Sequence, residues 1–115
     1  METTPRFLQG IFPFTGEGLS KPALLSSTLT YLVPGDKRSQ LIYFRAGNSS
    51  EELVVVTLLR DGNPMRLFPI GAKAAVHVSL AVVEDLMPDT KLDITIAAPS
   101  GVIGEVALDI GLLEI

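Results

Sequence analysis

The chain has 115 residues, 47% of them hydrophobic and only 19% charged, with a net charge of −4 and neither cysteine nor tryptophan. Without cysteine there is no disulfide, thiolate metal site or cysteine nucleophile, and with no basic run longer than Lys37-Arg38 there is no footprint for a phosphate backbone. No apolar run approaches the length of a membrane span, and Met1 to Arg6 lack the positive start and apolar run of a secretory signal, so the expectation is a single cytoplasmic domain with no nucleic-acid or membrane partner.

Residues 1–20 follow neither a period of two nor one of 3.6. Phe7, Phe12 and Phe14 stand among Gly10, Pro13, Gly16 and Gly18, which predicts an N-terminal arm (1–20) ahead of a domain at 21–115. That arm either packs on its own domain as a strand or loop or docks on a neighbouring subunit. From Ala23 to Val33, Leu25, Leu29, Tyr31 and Val33 share one side, and Pro34-Gly35-Asp36-Lys37 then turns the chain. Strands are expected over 40–46, with Ile42 and Phe44 inward, and over 51–60. Asp61-Gly62 is a hairpin signal, because both residues tolerate the positive φ that such turns need. Met65 to Ile70 follows as a short strand, placed at a sheet edge by Pro64 and Pro69. Ala74, Val76, Val78 and Leu80 alternate against Lys73, Ala75, His77 and Ser79, with one helical turn expected over Leu80–Leu86.

Leu92, Ile94, Ile96 and Ala98 then alternate with Lys91, Asp93, Thr95 and Ala97, the pattern of a half-buried strand. Val106, Leu108 and Ile110 alternate with Glu105, Ala107 and Asp109 in a last strand, which Gly111 interrupts before Leu112–Ile115. About seven short strands with turn signals every 8–12 residues predict an all-β, antiparallel sandwich. The strip Leu86, Pro88, Thr90, Leu92, Ile94, Ile96 and Ala98 resembles a corner of fibronectin type III domains, and the strand order over 39–110 resembles the immunoglobulin-like fold. The resemblance implies an immunoglobulin-like sandwich and, being at the level of the fold, no function. This chain has Leu92 where those domains usually carry a tyrosine, and it has no tryptophan.

No constellation for catalysis is legible. His77 is the single histidine, lies on an outward-facing position and has only Ser79 beside it, two residues along a strand, which presents no nucleophile. Glu84, Asp85, Asp89 and Asp93 form a mildly acidic patch without the spacing of a calcium loop and are read as solvated carboxylates. Gly16-Glu17-Gly18 is too short for a phosphate loop. The expectation is therefore a protein without enzymatic activity, metal or cofactor.

One segment departs from an ordinary half-buried strand. Leu53, Val55 and Leu59 lie on one side of 51–60 and Val54, Val56 and Leu58 on the other, so both faces are apolar where an isolated antiparallel sheet needs one. Leu41 and Tyr43 offer similar surface nearby. With the charged fraction below the roughly 25% of an average domain, this predicts a homo-oligomer, or a module that binds another protein, through Phe7, Phe12, Phe14, Leu41, Tyr43, Leu53, Val55 and Leu59. The competing expectation is a small-ligand or carbohydrate-binding sandwich that uses a tyrosine or phenylalanine as its platform.

Overall fold

A computed structural model describes residues 3–115, with side chains throughout except at 81–83. Nine strands form two antiparallel sheets: β1 (Thr4–Thr15), β2 (Ala23–Leu24), β3 (Thr30–Leu32), β4 (Ser39–Asn48), β5 (Val54–Arg60), β6 (Asn63–Ile70), β7 (Ala75–Leu86), β8 (Lys91–Ala97) and β9 (Ile103–Glu114). The first sheet has the order β1-β9-β4-β7; in the second, β2-β8-β5-β6, β3 also pairs with β8. Among the described residues no helix is long and apolar enough to cross a membrane.

The all-β, antiparallel sandwich expected from the alternation is present, and its connectivity is more specific. β2 and β3 are two pieces of one strand position, both paired with β8. They are separated by a turn in which Ser26 Oγ accepts from the Thr28 amide and the Leu29 amide donates to the Ser26 carbonyl, the local competition with a ladder that serine and threonine supply. With that position counted once, the sheets run first-eighth-third-sixth and second-seventh-fourth-fifth, the order of a jelly roll. In the immunoglobulin order the first strand lies beside the second in one sheet; here the first strand lies beside the last, and the second is in the opposite sheet.

The core fills the space between the sheets. Phe44 from the first sheet and Phe68 from the second stack at 3.9 Å between centroids, and Leu41, Val54, Val56, Leu58, Ile70, Leu92, Ile94, Val106 and Ile110 have no accessible surface. Each such side chain contributes about 1.5–3 kcal/mol by burial. One position expected in this core stands outside it and two lie at its margin. Ile42 is 38% exposed, because the β4 ladder slips between Leu41 and Tyr43 and turns it outward as the extra residue. Val76 and Val78 are half-buried, packed against the core from the edge strand β7.

The arm is part of the sandwich. β1 pairs with β9 over its whole length, from Thr4↔Glu114 to Thr15↔Ile103, which is the first of the two expected arrangements, a strand packed on its own chain. The expected helical turn over Leu80–Leu86 is strand instead: the partners Tyr43↔Ser79 and Leu41↔Glu84 leave an irregular excursion in β7. The hairpin at Asp61-Gly62 forms as read, with φ of 49° and 84°, and β6 with its two prolines is an edge strand.

Candidate functional site

The expected interface residues do not form one surface. Phe14 and Leu41 lie in the core of their own chain, and Phe12 packs half-buried against it. Leu53 is exposed before β5, and Val55 and Leu59 sit half-exposed on the outer face of the second sheet, where β1 cannot cover them because it belongs to the first. Phe7 and Tyr43 are brought together, one strand apart across Gly111, on the outer face of the first sheet.

That outer face holds a concavity of 670 Å³. Strand register explains its shape. Gln9, Asp109, Arg45 and His77 lie in one row across β1, β9, β4 and β7, and Ile11, Ala107, Gly47 and Ala75 lie in the next. Rows repeat about every 7 Å along the strands, and neighbouring strands are about 4.8 Å apart. The second row is a floor of two alanines and a glycine between taller neighbours, and it runs across the strands to Ile11. A second hollow of 360 Å³ continues from the same floor to Ser49, Lys73 and Glu105. The result is a trough with one polar wall at Gln9/Asp109/Arg45/His77 and another at Glu105/Ser49/Lys73.

Asp109 organises the first wall. Its Oδ1 accepts from Gln9 Nε2 at 3.0 Å and from the Tyr43 hydroxyl at 2.9 Å, and Arg45 Nη1 lies 3.5 Å from its Oδ2. The Gln9 hydrogen bond, followed by those of Tyr43 and the Arg45 charge, holds the Asp109 carboxyl below its ordinary range despite some desolvation. Desolvation and then the bond to Asp109 push the Tyr43 phenol above its ordinary value. The Tyr43 ring meets the His77 ring edge-on, centroids 6.1 Å apart at 84°. Donors, acceptors and an aromatic edge are thus fixed in place before any ligand arrives.

The acidic patch read from the sequence does not converge. Glu84 bridges Arg60 and Arg66, Asp85 pairs with Arg38, and Asp93 pairs with Lys91. Asp89 sits in the turn before β8, at φ 66°. His77 is exposed, as its outward position implied. The sequence reading missed Gln9, Arg45, Asp109 and the floor residues as a group. Its available signal was a small residue two positions from a polar one in three strands: Arg45/Gly47, Ala75/His77 and Ala107/Asp109.

No protein-family model and no curated protein sequence matches the chain. Solved structures are similar in fold. The CBM36-1 domain of a multidomain xylanase from the hindgut metagenome of Trinervitermes trinervoides matches over 96% of each chain, with a TM-score of 0.58 and 10% identity. The exo-beta-1,3-galactanase of Phanerochaete chrysosporium, solved with galactose, matches all of this chain and 30% of its own, at a TM-score of 0.42 and 16% identity.

Proposed function

We propose that the chain is a non-catalytic carbohydrate-binding module whose ligand lies in the trough over the four-stranded sheet. The carrying observation is the trough itself: a flat floor of Ala107, Gly47 and Ala75 between walls of preorganised hydrogen-bonding groups. A sugar ring presents hydroxyls around its rim and carbon on its faces. The Asp109–Gln9–Tyr43–Arg45 cluster supplies partners for the rim, and the alanines and Ile11 supply apolar surface. Fixed partners lower the ordering cost of binding. The fold-level similarity to the CBM36-1 domain of a xylanase supports the same reading.

Titration of an oligosaccharide panel followed by backbone NMR tests it. Shifts confined to Gly47, Ala75, Ala107 and their row neighbours are expected, together with a raised melting temperature, since a ligand that binds only the native state stabilises it. Saturation without shifts in these rows would overturn it.

A second reading, self-association, is favoured by the outer face of the other sheet. Leu24 and Leu67 (62% exposed) flank Thr57 and Thr95 there, beside Val55, Pro69 and Leu59. Light scattering coupled to size exclusion measures it directly: a multiple of 12.3 kDa that reverts to monomer in Leu67→Glu supports this face as the contact, and a monomer at high concentration removes it.

A further inference from the structure

The trough is electrically lopsided. On β9 its walls carry the carboxylates Asp109 and Glu105, whereas on β4 and β7, and at the turn before β7, they carry Arg45, His77 and Lys73. The chain as a whole is acidic, with 13 Asp and Glu against 9 Lys and Arg, and against that background Arg45 and Lys73 stand on the same side of the trough.

The two ends also differ in what is already satisfied. Asp109 accepts hydrogen bonds from Gln9 and Tyr43 and pairs with Arg45. Arg45, by contrast, spends one nitrogen on a contact of 3.5 Å to Asp109, and its side chain is 56% exposed, which leaves most of its five donors facing the trough. Lys73 pairs at 3.3 Å with Glu51, but both side chains are exposed, and such a pair is held weakly. The Ser79 hydroxyl stands exposed on the neighbouring row of β7. The β4/β7 end therefore offers donors and little to accept, and a planar guanidinium at that point matches a carboxylate or sulfate bidentately.

We propose that the preferred ligand is an acidic oligosaccharide, oriented with an anionic substituent of one sugar at the β4/β7 end, against Arg45, and its neutral rings toward β9 and Ile11. This deepens the carbohydrate-binding reading and rests on it.

The test varies the ligand's charge at constant sugar. Calorimetric titration compares trigalacturonate with its methyl ester, and a glucuronate-bearing xylotriose with the carboxyl-reduced form; sulfated and unsulfated galactotriose form a third pair and distinguish sulfate from carboxylate. The expected result is at least a ten-fold preference for the charged member of one pair, weakening with added salt, since exposed charge pairs are screened. In Arg45→Gln the ratio within that pair should fall close to one, and Arg45→Lys should restore part of it. Thermal unfolding of each variant confirms that the fold is intact. Equal affinity for charged and neutral members overturns the acidic preference and leaves carbohydrate binding standing. Absence of binding by every member overturns both.

Discussion

The Tyr43 ring occupies the space that a side chain at Gly111 would need, because a Cβ there would overlap the ring edge at Cδ2, Cε2 and Cζ. Gly111 has no positive φ among the backbone outliers, so glycine is required here by room and not by conformation. Gly111→Ala should push the ring away, break its hydrogen bond to Asp109 and cost about 1–3 kcal/mol, the range of an overpacked site. Denaturant unfolding measures the loss, and a variant as stable as the parent would mean that the ring moves freely.

Asp109 gives the site an acid limit. Its folded-state pKa is depressed below 3.8, so its contribution is complete above the unfolded value and is lost as pH falls through the folded one. Stability and any ligand affinity that depends on this wall should hold from neutral pH down to about 4 and decline below it. An NMR titration of the side-chain carboxyl should place its midpoint below that of a free aspartate; a midpoint at or above it would contradict the hydrogen-bonded cluster.

At one end of the sandwich Tyr31 of β3 donates to Glu114 Oε2 at 2.6 Å, and Arg6 pairs with the other oxygen at 3.2 Å. This joins the two sheets. Burial and then the Glu114 bond push the Tyr31 phenol up to about 12. The sign is opposite to that of Asp109: stability from this contact is complete below the ordinary value of 10 and is lost as pH rises through about 12. Tyrosinate absorbance should therefore show a late ionisation that disappears in Tyr31→Phe. A midpoint near 10 for Tyr31 would refute the clasp.

Asn48 ties two loops together. Its amide nitrogen lies within hydrogen-bonding distance of the carbonyls of Glu52, Ile70 and Gly71, at 2.9, 3.3 and 3.1 Å, and its oxygen accepts from the Ser50 amide and hydroxyl. Asn48→Ala should cost about 2–4 kcal/mol through buried groups left unpaired. Asn48→Asp should cost more, since it sets a carboxylate against carbonyl oxygens. Unfolding free energies in the reverse order would show that the amide is not the donor.

Deleting residues 1–15 should unfold the protein and not merely alter its assembly. The deletion removes an edge strand with Phe14 buried and Leu8 and Phe12 packed on the core, and each buried phenylalanine is worth about 1.5–3 kcal/mol. Circular dichroism after the deletion should lose its cooperative thermal transition; a folded product of unchanged melting temperature would return β1 to the status of an arm.

Periodicity made the inner faces of β8 and β9 legible, because Leu92, Ile94, Ile96, Val106 and Leu108 alternate with more polar or smaller residues, whereas β5, apolar on both faces, did not reveal that Val54, Val56 and Leu58 are its inward side. β1 was not legible as a strand because its outward positions, Phe7 and Ile11, are as apolar as its inward ones, Leu8 and Phe12, and two prolines mask the rest. Ile42 misled because a bulge reverses the facing of residues with no change in composition. The sheet order could not be read at all, since alternation fixes faces and not neighbours. The trough was hidden for the same reason: Arg45, His77 and Asp109 are ordinary surface residues until register sets them in one row.

The hydrogen bonding of β9 to both β1 and β4 also dictates when the molecule can fold. Strands separated by nearly the whole chain must meet before the four-stranded sheet closes, a high contact order of the kind that slows folding to milliseconds or seconds. β1 and β4, which flank β9, are not paired with each other. Until β9 docks, β1 and β4 have no strand to join them, so the docking of β9 is the step that closes this sheet over Phe14 and Leu41.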